Sequence, residues 1–170
     1  MKRVSLIAIG FALAATACGS SSTSPSTTPT KPTFTATLLP ANEVPPIANA
    51  ESSGSGTATI TMDVTKDAAG NVTAASVTFV ANLTGFPAGT TVTLGHIHKA
   101  PSGVSGGVVI SANVTSTALA SGSGSLVLTN SAPDVAVVQD ILNNPGSYYF
   151  NLHSTLNPNG FARGQLSRVQ

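Results

Sequence analysis

Only three histidines occur in this 170-residue chain, and two of them stand one residue apart. His96 and His98 sit in GHIHKAPSGVSGG, residues 95–107, where a glycine-rich stretch follows at once; His153 lies in YYFNLHST. Imidazole nitrogen suits copper and zinc, and three imidazoles make a trigonal set or three corners of a tetrahedron. On a strand, residues i and i+2 point the same way, with Cα atoms about 6.7 Å apart at about 3.3 Å per residue. His96 and His98 can therefore address one ion, and His153 completes the set if its strand pairs with or faces theirs. The competing reading is a polar cluster at a sheet rim, hydrogen-bonded to backbone or asparagine. Strand parity places His96 and His98 on a face with Val92 and Leu94, and His153 with Tyr149 and Asn151.

Charge is scarce, at 8% of residues, so single charged side chains stand out. From Cys18 onward, Lys31, Lys66, Lys99, Arg163 and Arg168 face Glu43, Glu51, Asp63, Asp67, Asp134 and Asp140, a formal net of −1. That balance offers no basic patch for nucleic acid. Glu43 in ANEVPP and Arg163 in ARGQ are expected to pair, a guanidinium fork on a carboxylate tying the first strand to the last. The alternative is that Arg163 faces a ligand near the histidines. Catalytic motifs are missing: no Gly-x-Ser-x-Gly elbow appears, and GVSGG lacks the lysine and helix of a phosphate loop. The chain is therefore not expected to be an enzyme.

The first residues speak to location. MKR is followed by the apolar run VSLIAIGFALAATA and then Cys18, the only cysteine. The run is shorter than the roughly 20 residues a membrane span needs, and it has the order of a secretory signal. Ala15-Thr16-Ala17-Cys18 resembles a bacterial lipobox, in which the cysteine is acylated; cleavage with an incidental cysteine is the other reading. Residues 1–17 are expected to be a signal peptide. Residues 18–33, rich in Ser, Thr and Pro, are expected to be a lipid-anchored flexible linker with too little to bury to order itself. One cysteine excludes an internal disulfide, so residues 34–170 must be held by packing.

Those residues read as strand after strand. TFTATLLP, GSGTATITMDV, VTAASVTFVANLTG, TTVTLGHIH, GGVVISANV, GSGSLVLTN, YYFNLHS and GFARGQLSRV are β-branched or alternate at period two, punctuated by Gly, Asn and Pro. An all-β antiparallel sandwich or flattened barrel of about eight strands is expected. SAPDVAVVQDILNNPG alone breaks the rhythm. It predicts one short helix over 132–143, capped by Ser131 and ended by Pro145-Gly146.

ATLLPANEVPP, GHIHKAPSGVSGGVV, YYFNLHST and GFARGQL, in this order and spacing, resemble the four blocks of the CHRD domain. That module is named for chordin and also occurs in bacteria. The family often has an acidic residue two places before its Arg-Gly-Gln, where this chain has Phe161. The resemblance implies a β-rich exported module without an agreed catalytic activity. Copper–zinc superoxide dismutase is also a sandwich with a His-x-His strand, but it needs more histidines and a disulfide, so dismutase chemistry is not expected here. The expectation is a non-enzymatic binding or structural module of the cell envelope, at the outer membrane or cell surface. Its membrane contact would be a lipid on Cys18, and its envelope partner is not named by the sequence. The alternative is a copper- or zinc-binding protein using His96, His98 and His153.

Overall fold

Alternation at period two lets each strand bury one row of side chains, and two such faces closed on each other make the core. The computed structural model describes residues 31–170; the expected signal segment, Cys18 and the linker up to residue 30 lie outside the described residues. The strands are β1 (Thr33–Leu38), β2 (Ser55–Lys66), β3 (Val72–Thr84), β4 (Thr90–Lys99), β5 (Gly107–Ser111), β6 (Thr117–Leu119), β7 (Gly124–Asn130), β8 (Tyr148–Ser154), β9 (Ala162–Gln165) and β10 (Ser167–Arg168). One helix, α1 (Val135–Asn143), and short 3-10 turns complete the described residues. The first sheet runs β10-β1-β2-β3-β7 and the second β5-β4-β8-β9, with β6 beside β4; all pairings are antiparallel and no barrel closes.

Phe34, Leu38, Ile60, Met62 and Phe79 face Ile97, Ile110, Phe150 and Leu152 in one continuous apolar core. Phe79 and Phe150 stack across the gap between the sheets, ring centres 5.2 Å apart. Every expected strand is present, with two differences. β6 has only three residues, too few for an alternation to show. GFARGQLSRV is not one strand but two, because the chain changes sheets at buried Leu166, whose N–H donates to Tyr148 O at 2.9 Å. The helix begins later than expected. Its cap is Asp134, not Ser131, and the Asp134 carboxylate accepts from Ala136 N at 2.8 Å. Pro133 holds the preceding chain extended, which leaves Asp134 as the residue able to reach the free N–H groups. Val138, Ile141 and Leu142 pack inward, and Gln139 Oε1 accepts from Val72 N at 3.0 Å, docking α1 onto the start of β3.

One irregularity decides where the histidines point. In the β4–β8 ladder, Val92 opposes Ser154 and Leu94 opposes His153, so Thr93 is an extra residue on β4. Such a bulge reverses the parity of everything beyond it. Val92 is in the core, but after the bulge Gly95 and Ile97 turn inward, and Leu94, His96 and His98 turn outward. The shared face expected for Val92 and the two histidines is therefore not formed.

Candidate metal centre

β8 carries Tyr148, Phe150 and Leu152 into the core, so Tyr149, Asn151 and His153 must face outward. Yet all seven residues of β8 are buried. The outer face of the second sheet is roofed by the chain around Pro40–Ser53, by the 100–106 loop and by the 155–160 loop. Beneath that roof lies a polar layer in register. His96 opposes Asn151, His98 opposes Tyr149, and Asn151 opposes Arg163 on β9. The histidine strands pair directly, and the cluster lies on the outer face of the second sheet, against the 100–106 loop.

His96, His98 and His153 each offer a ring nitrogen, and these atoms lie within 4.8 Å of one another. Two of the rings are oriented by main-chain carbonyls. His98 Nδ1 is 3.0 Å from Gly106 O, and His153 Nδ1 is 2.9 Å from Pro158 O. A carbonyl only accepts, so Nδ1 carries the proton in both rings and Nε2 keeps its lone pair. The remaining contact is His96 Nδ1 to His153 Nε2 at 3.1 Å, with His96 the donor. Nitrogens sharing one ion at about 2.0–2.1 Å stand about 3.3–3.5 Å apart, so this spacing is close to a ligand–ligand edge. His98 Nε2 is buried with no partner at all. An orphan of that kind costs about 1–3 kcal/mol, and a bound ion would remove the cost.

The electrostatics keep the rings neutral. Burial, then the positive charge that His153 and His98 would carry, lower the pKa of His96 from 6.5 to about 4. His98 and His153 are also lowered, chiefly by burial, against the raising pull of their carbonyl bonds. Neutral imidazole is the metal-binding form.

Glycine makes the roof fit in two places. A Cβ on Gly106 would stand 2.1 Å from Lys99 O, so only glycine at this position brings the Gly106 carbonyl over His98. Gly160 has φ +127°, and a Cβ there would meet Asn151 Nδ2 at 2.5 Å and both Glu43 oxygens at 2.9 Å.

The expected fork of Arg163 on Glu43 is not formed. The ion pairs within 4.0 Å among the described residues are Lys31–Asp63 and Lys99–Asp140. Arg163 Nη2 instead donates to Val104 O at 3.2 Å, and the guanidinium carbon lies 4.3 Å from the centre of the Tyr149 ring. Tyr149 in turn stacks on His98 at 4.9 Å and 3°. Arg163, Tyr149 and His98 thus form one stack across β9, β8 and β4, which is the alternative in which the arginine serves the histidine face. What ties the chain around β1 to β9 is backbone: Leu39 and Arg163 exchange hydrogen bonds at 3.1 and 3.4 Å. Glu43 nonetheless neighbours the layer. Burial raises its pKa from 4.5 to about 7, against the attraction of Arg163 and a hydrogen bond from Asn151.

Sequence reasoning missed Gly106, Pro158 and Glu51. Glu51 is a buried residue of the roof itself, its Oε2 accepting from Ser154 Oγ at 2.7 Å and from the Asn157 amide. The scarcity of charge that drew notice to Glu43 would have found it. Phe161, standing where an acidic residue is usual, is fully buried and edge-on to Phe86 at 5.0 Å, so that position is core here. A groove of about 620 Å³ lies beside the layer, lined by Glu43, Pro45, Ile47, Asn157, Pro158 and Gly160 among others, and by none of the histidines.

These features define an antiparallel two-sheet sandwich with a roofed imidazole layer on one outer face. The chain matches the CHRD domain over residues 34–166 and belongs to that family. No curated protein and no solved structure matches it.

Proposed function

We propose that this protein is an exported module of the cell envelope, tethered through a lipid on Cys18, that binds a divalent transition metal at His96, His98 and His153. Copper and zinc both accept three neutral imidazoles. One observation carries the reading: two rings are turned by Gly106 O and Pro158 O so that their lone pairs converge, and buried His98 Nε2 has no protein partner. Calorimetry with Cu²⁺ and Zn²⁺ at pH 7.5 tests it, on the wild type and on His98→Ala. Micromolar or tighter binding by the wild type, weakened at least a hundredfold in the variant, is the expected result. Equal binding by both proteins, or none tighter than about millimolar, would leave the histidines structural.

Membership of the CHRD family supports the broader reading, a non-enzymatic binding or structural module, and that reading survives if no metal binds. Tethering has its own test. Growth with labelled palmitate should label the wild type and not Cys18→Ser, whereas wild type released without lipid would refute the anchor.

A further inference from the structure

Among the described residues, three buried side-chain acceptors have no partner: His98 Nε2, Asn151 Oδ1 and Glu43 Oε1. A metal on the histidines satisfies the first and leaves the other two. Both belong to the same layer. Asn151 stands opposite His96 in one ladder and opposite Arg163 in the next, two residues before His153 on the same face. Its Nδ2 is the end turned towards the Glu43 carboxylate, and its carbonyl oxygen is the end left free. Free acceptors need a ligand that carries hydrogen, and water is the smallest one able to satisfy two of them at once.

Three histidines also leave a four-coordinate ion one ligand short. All three are neutral, so they do not offset the charge of the metal. Arg163 adds another positive charge, fixed by its stack on Tyr149. Even with Glu43 and Glu51 both ionised, the layer holding a divalent ion keeps a positive excess, which favours water over a less polar ligand and hydroxide over water.

We propose that the fourth coordination position holds an exchangeable water, which donates one hydrogen to Asn151 Oδ1 and the other to Glu43 Oε1, and which as hydroxide would keep one of the two bonds. Asn151 is the residue that grips this ligand, and Glu43 positions Asn151 as well as accepting from the ligand. The inference rests on the metal-binding reading above. It gives the centre something a closed structural site lacks, a position where an outside molecule can reach the ion.

The test uses the Cu²⁺-loaded protein and its electron paramagnetic resonance spectrum. Water enriched in ¹⁷O should broaden the copper lines, and azide should displace that water and abolish the broadening. Azide has no hydrogen to donate, so the Asn151 contact favours water over it. Asn151→Ala should therefore lower the azide midpoint about tenfold. Asn151→Asp, which keeps an acceptor and adds negative charge, should raise it. A side chain that merely fills space would not shift the midpoint in opposite directions, and either variant alone decides if the other fails to fold. Bound copper whose lines ignore ¹⁷O water, or azide midpoints unmoved by the substitutions, would overturn the open position while leaving metal binding intact. Failure of the wild type to bind Cu²⁺ would overturn both.

Discussion

The two sheets of this sandwich treat their outer faces in opposite ways. On β2, buried Ala58, Ile60 and Met62 alternate with Thr57, Thr59 and Thr61, of which Thr57 and Thr59 lie open to solvent. On β8 there is no exposed row at all, and Tyr149, Asn151 and His153 are as enclosed as the core residues between them. Threonine suits the first situation because its hydroxyl can be solvated at no cost in burial. Histidine, asparagine and arginine beneath a roof do carry a cost unless every polar atom is paired. A sandwich needs one buried face per sheet to fold. A second one, lined with polar groups left short of partners, is the face on which a ligand site is proposed.

Removing a pillar shared by both sheets has the largest expected effect. Phe150→Ala empties a fully buried position stacked on Phe79, and denaturant melts should show about 3–5 kcal/mol lost. A loss below 1 kcal/mol would mean that the core is not continuous. Next comes the roof. Gly160→Ala forces a methyl group onto Asn151 and Glu43 at a positive φ, and should cost about 1–3 kcal/mol while weakening metal binding. If it alters stability but leaves metal affinity intact, the roof and the imidazole layer are separate units.

The pH response sharpens the contrast, because two groups in the layer pull in opposite senses. The histidines are held below their ordinary pKa, so an unfolding chain takes up protons that the folded one refuses. Their contribution to stability is complete above about 6.5 and falls away as the pH drops towards 4. Glu43 behaves the other way, since its folded pKa of about 7 lies above the unfolded value of 4.5. Its contribution is complete below 4.5 and is lost as the pH rises through 7. Thermal melts with chelator present should show metal-free wild type losing stability in acid. Glu43→Gln should gain on wild type as the pH is raised from 5 to 8, and a constant difference across that range would show that Glu43 is not the group responsible. The smallest effect is expected on the other sheet. Thr59→Ala, on the solvated face, should stay within about 0.5 kcal/mol in the same melts.

Much of this contrast is legible in the residues. Period-two alternation in TATITM fixes which row of β2 is core, and YYFNLHS shows Tyr149, Asn151 and His153 sharing a face. The bulge at Thr93 is not legible, because TTVTLGHIH alternates smoothly on paper and the extra residue exists only relative to β8. That one residue decides that His96 and His98 leave the face of Val92. The roof is equally hidden. Gly106, Pro158 and Gly160 act through backbone position, and composition cannot say which carbonyl will come to rest above which ring. Scarcity of charge singled out Glu43 and Arg163 but misjudged their bond, since a tyrosine ring offered the guanidinium a nearer partner.

The register of β4 against β8 also has a consequence in time. His96 and His153 are 57 residues apart in sequence, with β5, β6, β7 and α1 lying between them in the chain. Contacts closed over such distances form slowly and late. An unfolded chain offers at most the His96–His98 pair, so metal cannot act as the template around which the fold assembles, as it does in a zinc finger. If the histidines bind an ion as proposed, its capture would follow the pairing of β4 with β8. On that reading, a chain threaded unfolded across a membrane would arrive without metal, and the compartment in which it folds would decide which ion it acquires.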